Sequence, residues 1–197
     1  MRVFVTGADT DVGKTVASTV LAVGLGTHYW KPVQTGSPPD ADFVGRWIPR
    51  EKVIPERWRF PLPASPHLAA AASGATIDFE GEIAAPAAER LVIEGAGGVL
   101  VPLNEKFFVV DLIRALNVPA IVVVRPKLGV INHALLTFEA LRTRSIAIRG
   151  FISSGEEEPE MTTSIARYGD VAHLGHLPQT TDFTKEWFHE CFRRLRF

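Results

Sequence analysis

Short, almost uninterrupted apolar runs alternate along the chain with longer stretches in which apolar residues recur every three or four positions. The runs Arg2–Thr6, His28–Val33, Leu91–Glu94, Ala120–Val124, Ile146–Ile152 and Asp170–Leu174 predict strands. The helical spacing predicts helices over Lys14–Gly24, Ser65–Ser73, Phe79–Ala88, Val109–Leu116, Ile131–Arg142, Glu160–Tyr168 and Thr184–Leu195. Strands without a polar face are covered on both sides. The alternation therefore predicts an α/β fold, a mostly parallel sheet with helices on both faces. Ligands of such sheets bind at the carboxyl ends of the strands. Ser37–Asp42 and Arg46–Ala64 are rich in loop residues. No internal repeat or linker breaks the pattern, so residues 1–197 read as one domain.

Composition narrows the function classes. Hydrophobic residues make up 46% and charged residues 22%, ordinary values for a globular protein with a sizeable core. The formal net charge of −1 gives no general attraction to nucleic acid or to an anionic membrane, so anion binding has to come from a local site. Cys191 is the only cysteine and cannot form an intramolecular disulfide, which points to a reducing compartment. The charge-free stretch Phe60–Ile77 contains Pro61, Pro63, Pro66, His67 and Gly74, so it does not read as a membrane span. The expectation is a cytoplasmic protein.

The first strand runs into TGADTDVGKT. Strand, glycine-rich turn and helix form the context of a phosphate-binding P-loop. The usual G-x-x-x-x-G-K-[ST] spacing would put a glycine at position 8, but Ala8 stands there and the glycine is Gly7. Around Gly13, backbone amides and the helix N-terminus would surround phosphate oxygens. Lys14 would reach the β- and γ-phosphates, and the Thr15 hydroxyl would meet Mg²⁺. The longer loop also holds Asp9, Thr10 and Asp11, which suits a site that handles a metal or an amine beside the phosphates.

Further candidates also follow strands. In RLVIEGAGG the strand ends at Glu94, a carboxylate placed to hold Mg²⁺ directly or through water, followed by glycines. WKPVQTG carries Lys31 inside an apolar run, where an unpaired charge would be costly. Asp40 and Asp42 flank Ala41 at a helix start, as N-capping residues or as a further metal carboxylate. VVRPKLGVINHALLT brings Gly129 before a helix, a second terminus suited to an anion, with Lys127 beside it.

These motifs together resemble the dethiobiotin synthetase family, ATP-dependent ligases of biotin synthesis. GADTDVGKT fits that family's longer P-loop, with Ala8 where a threonine is frequent. The resemblance continues through WKPVQTG, PASPHLAAAASG, VIEGAGGVLVPL, DLI, PAIVVV and LGVINHALLT, covers Arg2–Thr137 well and fades after Gly150. It implies a P-loop NTPase-like fold and the carboxylation and ring closure of 7,8-diaminopelargonic acid with CO₂ or bicarbonate, with ATP as co-substrate. It implies Lys31, Lys14, Thr10 and Asp11 as catalytic residues. The nucleotide would lie along Asp11, Val12, Gly13, Lys14, Thr15 and Val16, with Asp42, Glu94, Gly95, Ala96 and Gly97 around it. Thr15, Asp42 and Glu94 would hold Mg²⁺, Asp42 matching the family better than Asp40. Thr10 and Thr35 would meet the substrate. Leu128, Gly129 and Asn132 would receive its carboxylate tail from the partner subunit of a homodimer.

At the base, Ser154, Pro178 and Gln179 are the expected contacts. FISSG offers serines where the family often has an asparagine, and a hydroxyl reads a base edge less well than an amide. The main alternative is a P-loop ATPase of the partition or iron-protein type. Those loops carry an early extra lysine, and this one has none. A regulatory GTPase would need N-K-x-D, which is absent, and a cobyrinic acid synthetase would need a glutamine-hydrolysing domain.

Overall fold

The computed structural model describes residues 1–79 and 83–196. Its strands are β1 (Arg2–Gly7), β2 (His28–Trp30), β3 (Val33–Thr35), β4 (Val53–Ile54), β5 (Trp58–Phe60), β6 (Leu91–Gly98), β7 (Ala120–Val124), β8 (Ile148–Gly155) and β9 (His173–Pro178). The α-helices are α1 (Lys14–Leu25), α2 (Asp40–Val44), α3 (Pro66–Ala72), α4 (Val109–Leu116), α5 (Val130–Arg142), α6 (Pro159–Gly169) and α7 (Lys185–Arg194). Seven strands form one sheet in the order β4-β2-β6-β1-β7-β8-β9, and β3 and β5 pair separately. Every pairing is parallel. The expected α/β architecture is therefore present.

Side chains alternate across each strand, and the sheet divides the core accordingly. Phe4, Leu91, Ile93, Ala120, Val122 and Val124 face one cluster, packed with residues of α3, α4, α5 and α6. Val3, Val5, Val92, Ile121 and Val123 face the other, packed with residues of α1, α2 and α7. Helix ends are closed locally. The Gly26 amide donates to the Ala22 and Val23 carbonyls at the end of α1. Asp111 accepts from the Phe108 amide at the start of α4, and Thr184 accepts from the Trp187 amide at the start of α7.

Four expectations need correction. The run His28–Val33 is two strands, because Pro32 has no amide to donate and breaks the ladder. Its carbonyl accepts instead from the Arg57 and Trp58 amides. The strand expected at Ile146 starts at Ile148, since the Ile146 amide still closes α5 through the Leu141 carbonyl. Likewise the strand expected at Asp170 starts at His173. Asp170 takes a left-handed conformation at the end of α6, and the Val171 amide bonds back to Ala166. The helix expected over Phe79–Ala88 is not formed at Phe79 or at 83–88, where Pro86 blocks helical continuation. Residues 80–82 lie outside the described residues.

The helix layer formed by α1 and α7 is fixed by aromatic packing. Phe188 is fully buried and meets the rings of Trp47, Phe183 and Trp187 at 5.0–5.7 Å between centroids. Phe188→Ala is expected to cost about 3–5 kcal/mol in equilibrium denaturation. A loss under about 1 kcal/mol would mean that α7 contributes little to holding this layer together.

Candidate nucleotide and substrate site

The loop after β1 turns into α1 at Gly13, the residue that caps the helix. Gly7 is required where it stands, because a Cβ there would lie 2.6 Å from the Asp9 carbonyl and 2.8 Å from Val12 Cγ2. The longer loop thus folds back over its own start. Lys14 Nζ donates to the Asp9 carbonyl at 3.0 Å across this fold. Burial lowers the Lys14 ammonium below its ordinary range, with Glu94 opposing the shift.

Opposite the loop, β6 delivers Glu94, 1% exposed, to the carboxyl end of the sheet. Three groups converge on this carboxylate. Thr15 donates to Oε1 at 2.8 Å, Tyr29 donates to Oε2 at 3.0 Å, and Lys31 Nζ lies 3.4 Å from Oε1. Lys31 sits where β2 breaks at Pro32, and it also pairs with Asp40. Burial alone would lower the Lys31 ammonium, but Glu94 and Asp40 outweigh it and hold Lys31 above its ordinary range. Burial and the neighbouring carboxylate raise the Tyr29 hydroxyl well above its usual value, so it stays a donor.

A cleft of about 490 Å³ joins these groups. Among the sequence candidates, Thr10, Asp11, Gly13, Lys14, Thr15, Val16, Lys31, Thr35, Glu94, Ala96 and Gly97 line it. Gly95 does not line it. Val12 turns its side chain into the core. The two acidic residues at the start of α2 differ in placement. Asp40 lines the cleft and pairs with Lys31, whereas Asp42 is exposed and lies outside. Residues two apart on a helix point in different directions, so one turn cannot aim both carboxylates at Lys31. Leu128, Gly129 and Asn132 are exposed and do not line the cleft of their own chain.

A second hollow of about 220 Å³ opens beside Asp11, Gly13 and Val16, with Ser154, Pro178 and Gln179 on its lining. The Ser154 hydroxyl is already used, donating to the Val12 carbonyl at 2.6 Å. Ser154 thereby ties β8 to the P-loop. A third hollow, of about 290 Å³, is bordered by Asp9, Thr10, Leu100, Val101, His133 and Leu136.

Tyr29 and Gln34 were not among the sequence candidates. Gln34 accepts from the Asp40 amide at 3.2 Å and donates to the Thr35 carbonyl at 2.8 Å, which fixes the turn that carries Asp40. Tyr29 is masked in the sequence by the apolar run around it. Its position two residues before Lys31 was the available signal, since alternate strand residues share a face. Cys191 is buried, and burial pushes its thiol up to about 11, so it is a poor nucleophile. Among the described residues no helix is long and apolar enough to cross a membrane.

A family model described as an AAA domain matches residues 1–186. The cell division ATPase MinD of Pyrococcus furiosus superposes with a TM-score of 0.57, covering 98% of this chain and 97% of that one, at 13% identity. That likeness shows a shared fold and nothing more. The chain is 46% identical to the ATP-dependent dethiobiotin synthetase BioD of Brucella ovis over 198 aligned residues, 98% of this chain and 93% of that protein. The same protein of Brucella abortus is 46% identical over 200 residues, again 98% and 93%. The match extends well past Gly150, where the motifs fade. The chain belongs to the ATP-dependent dethiobiotin synthetase family.

Proposed function

We propose that this chain is a cytoplasmic, single-domain ligase that converts 7,8-diaminopelargonic acid, CO₂ and ATP to dethiobiotin, ADP and phosphate. The observation that carries the reading is convergence. Thr10, Lys14, Thr15, Lys31, Thr35 and Glu94 come from three separate sequence motifs and line one cleft.

One substrate amine adds to CO₂ and loses a proton, giving a carbamate. A carbamate oxygen takes the γ-phosphoryl group from ATP, leaving ADP. The second amine attacks the carbonyl of that mixed anhydride, closes the urea ring and expels phosphate. The protein's task is to align three reactants and to neutralise negative charge as it develops. Lys31, held charged by Glu94 and Asp40, is suited to the carbamate. Lys14 on the P-loop is suited to the phosphates. Thr10 borders both the main cleft and the hollow of Leu100 and Leu136, which fits the diamine and its apolar chain. Asp11 borders the main cleft and the base hollow instead, on the nucleotide side.

Mg²⁺ belongs to this reading, and the donor set suits it. Thr15, Glu94 and Asp40 offer only oxygen, and among the described residues no three His, Cys, Asp or Glu form a ready cage. Mg²⁺ is commonly held by one or two carboxylates together with substrate phosphates. When bound, it would neutralise phosphate charge. A homodimer completes the site. Leu128 is 96% exposed at the start of α5, and with Gly129 and Asn132 it lies free to reach a partner's cleft and take the substrate carboxylate.

Purified protein is expected to release phosphate only when diamine, bicarbonate, Mg²⁺ and ATP are all present, with one dethiobiotin formed per phosphate. Phosphate release that ignores the diamine would support a partition-type ATPase. Lys31→Gln is expected to lower turnover about 10²–10³-fold with a much smaller change in nucleotide affinity. Equal losses in both, in a variant that melts like the parent, would reduce Lys31 to a binding residue.

A further inference from the structure

The base hollow has few side chains left to recognise a base. Ser154 is spent on Val12. Ser153 lies between His173 Nε2 at 2.9 Å and His176 Nδ1 at 3.1 Å. Thr180 closes a turn with Asp182. Gln179 is exposed, and its amide can both donate and accept, so it suits several bases alike.

Arg125, just past β7, is the one cation lining this hollow among the described residues. It is exposed, and Nη1 reaches the Asp11 carbonyl at 3.4 Å, a long contact for an N–H donor. Among the described residues no carboxylate pairs with it. Its remaining N–H donors and its planar face are therefore uncommitted. The side chain runs against Gly155, where a Cβ would stand 3.2 Å from Arg125 Nε, and where φ of +101° disfavours any other residue. Bare backbone at that position leaves room for the guanidinium to lie flat. Leu177 and Phe183 add apolar lining to the same hollow. Arg125 does not line the main cleft, where Lys14 and Lys31 lie, so its charge is offered in the second hollow.

We propose that Arg125 packs its guanidinium plane on the nucleobase and clamps the nucleotide without reading its edge. The inference rests on the ATP-dependent reading above and extends it to base recognition. A planar cation on a π face works for every base, so the clamp gives affinity with little discrimination.

The test is calorimetric binding of non-hydrolysable ATP and GTP analogues to the parent, Arg125→Ala and Arg125→Lys. Both variants are expected to bind both analogues about tenfold more weakly, because an ammonium lacks the stacking plane. The KM for ATP is expected to rise to a similar extent. Parental affinity in Arg125→Ala would overturn the clamp. Parental affinity in Arg125→Lys would also overturn it, since charge alone would then suffice. If the parent shows no diamine-dependent phosphate release, the ligase reading fails, while the calorimetry still decides the clamp.

Discussion

The site is organised around a carboxylate buried at the end of the central sheet. Glu94 is 1% exposed and would be costly there without partners. It receives Thr15 from the P-loop, Tyr29 from β2 and Lys31 from the break after β2. The P-loop helix and the end of β2 are thereby held to one anion. Asp40 adds a second negative charge to Lys31, which keeps that ammonium charged despite burial. Because its pKa is raised, the stabilisation that Lys31 contributes is present at neutral pH and is lost only as pH climbs through the alkaline folded-state value. Lys14 differs: burial lowers its pKa, and its charged form gains most from a polyanion.

This arrangement divides the loop between two tasks. Gly7 allows the chain to fold back, and the added length places Thr10 and Asp11 on different neighbours. Thr10 borders the hollow with Leu100 and Leu136, while Asp11 borders the base hollow. Ser154 secures the loop from β8 by bonding to Val12. The displaced glycine is therefore a structural requirement of a loop that folds back on itself between two hollows.

Much of the fold was legible because periodicity is a local property. Ala120–Val124 and Val109–Leu116 match the expected spans residue for residue. The misplaced boundaries at Ile146 and Asp170 arose where buried apolar residues close a helix before the strand starts. At the cleft, Lys14, Thr15, Lys31 and Glu94 stand out in the sequence because each belongs to a short motif in or just after a strand. The resemblance favoured Asp42, but the direction of a one-turn helix, which turns Asp40 toward Lys31, leaves no mark in the sequence. Tyr29 was hidden because a buried hydroxyl looks like core until its partner is known. The bond from Ser154 to the P-loop spans 142 residues and leaves no local signal.

The central claim is that the charge of Glu94, beyond its shape, organises the reactants. Glu94→Gln keeps the shape and removes the charge. The most direct measurement is the rate of dethiobiotin formation by this variant, with its melting followed in parallel. The account predicts a folded protein whose turnover falls by about 100-fold or more. Turnover within about threefold of the parent would contradict it.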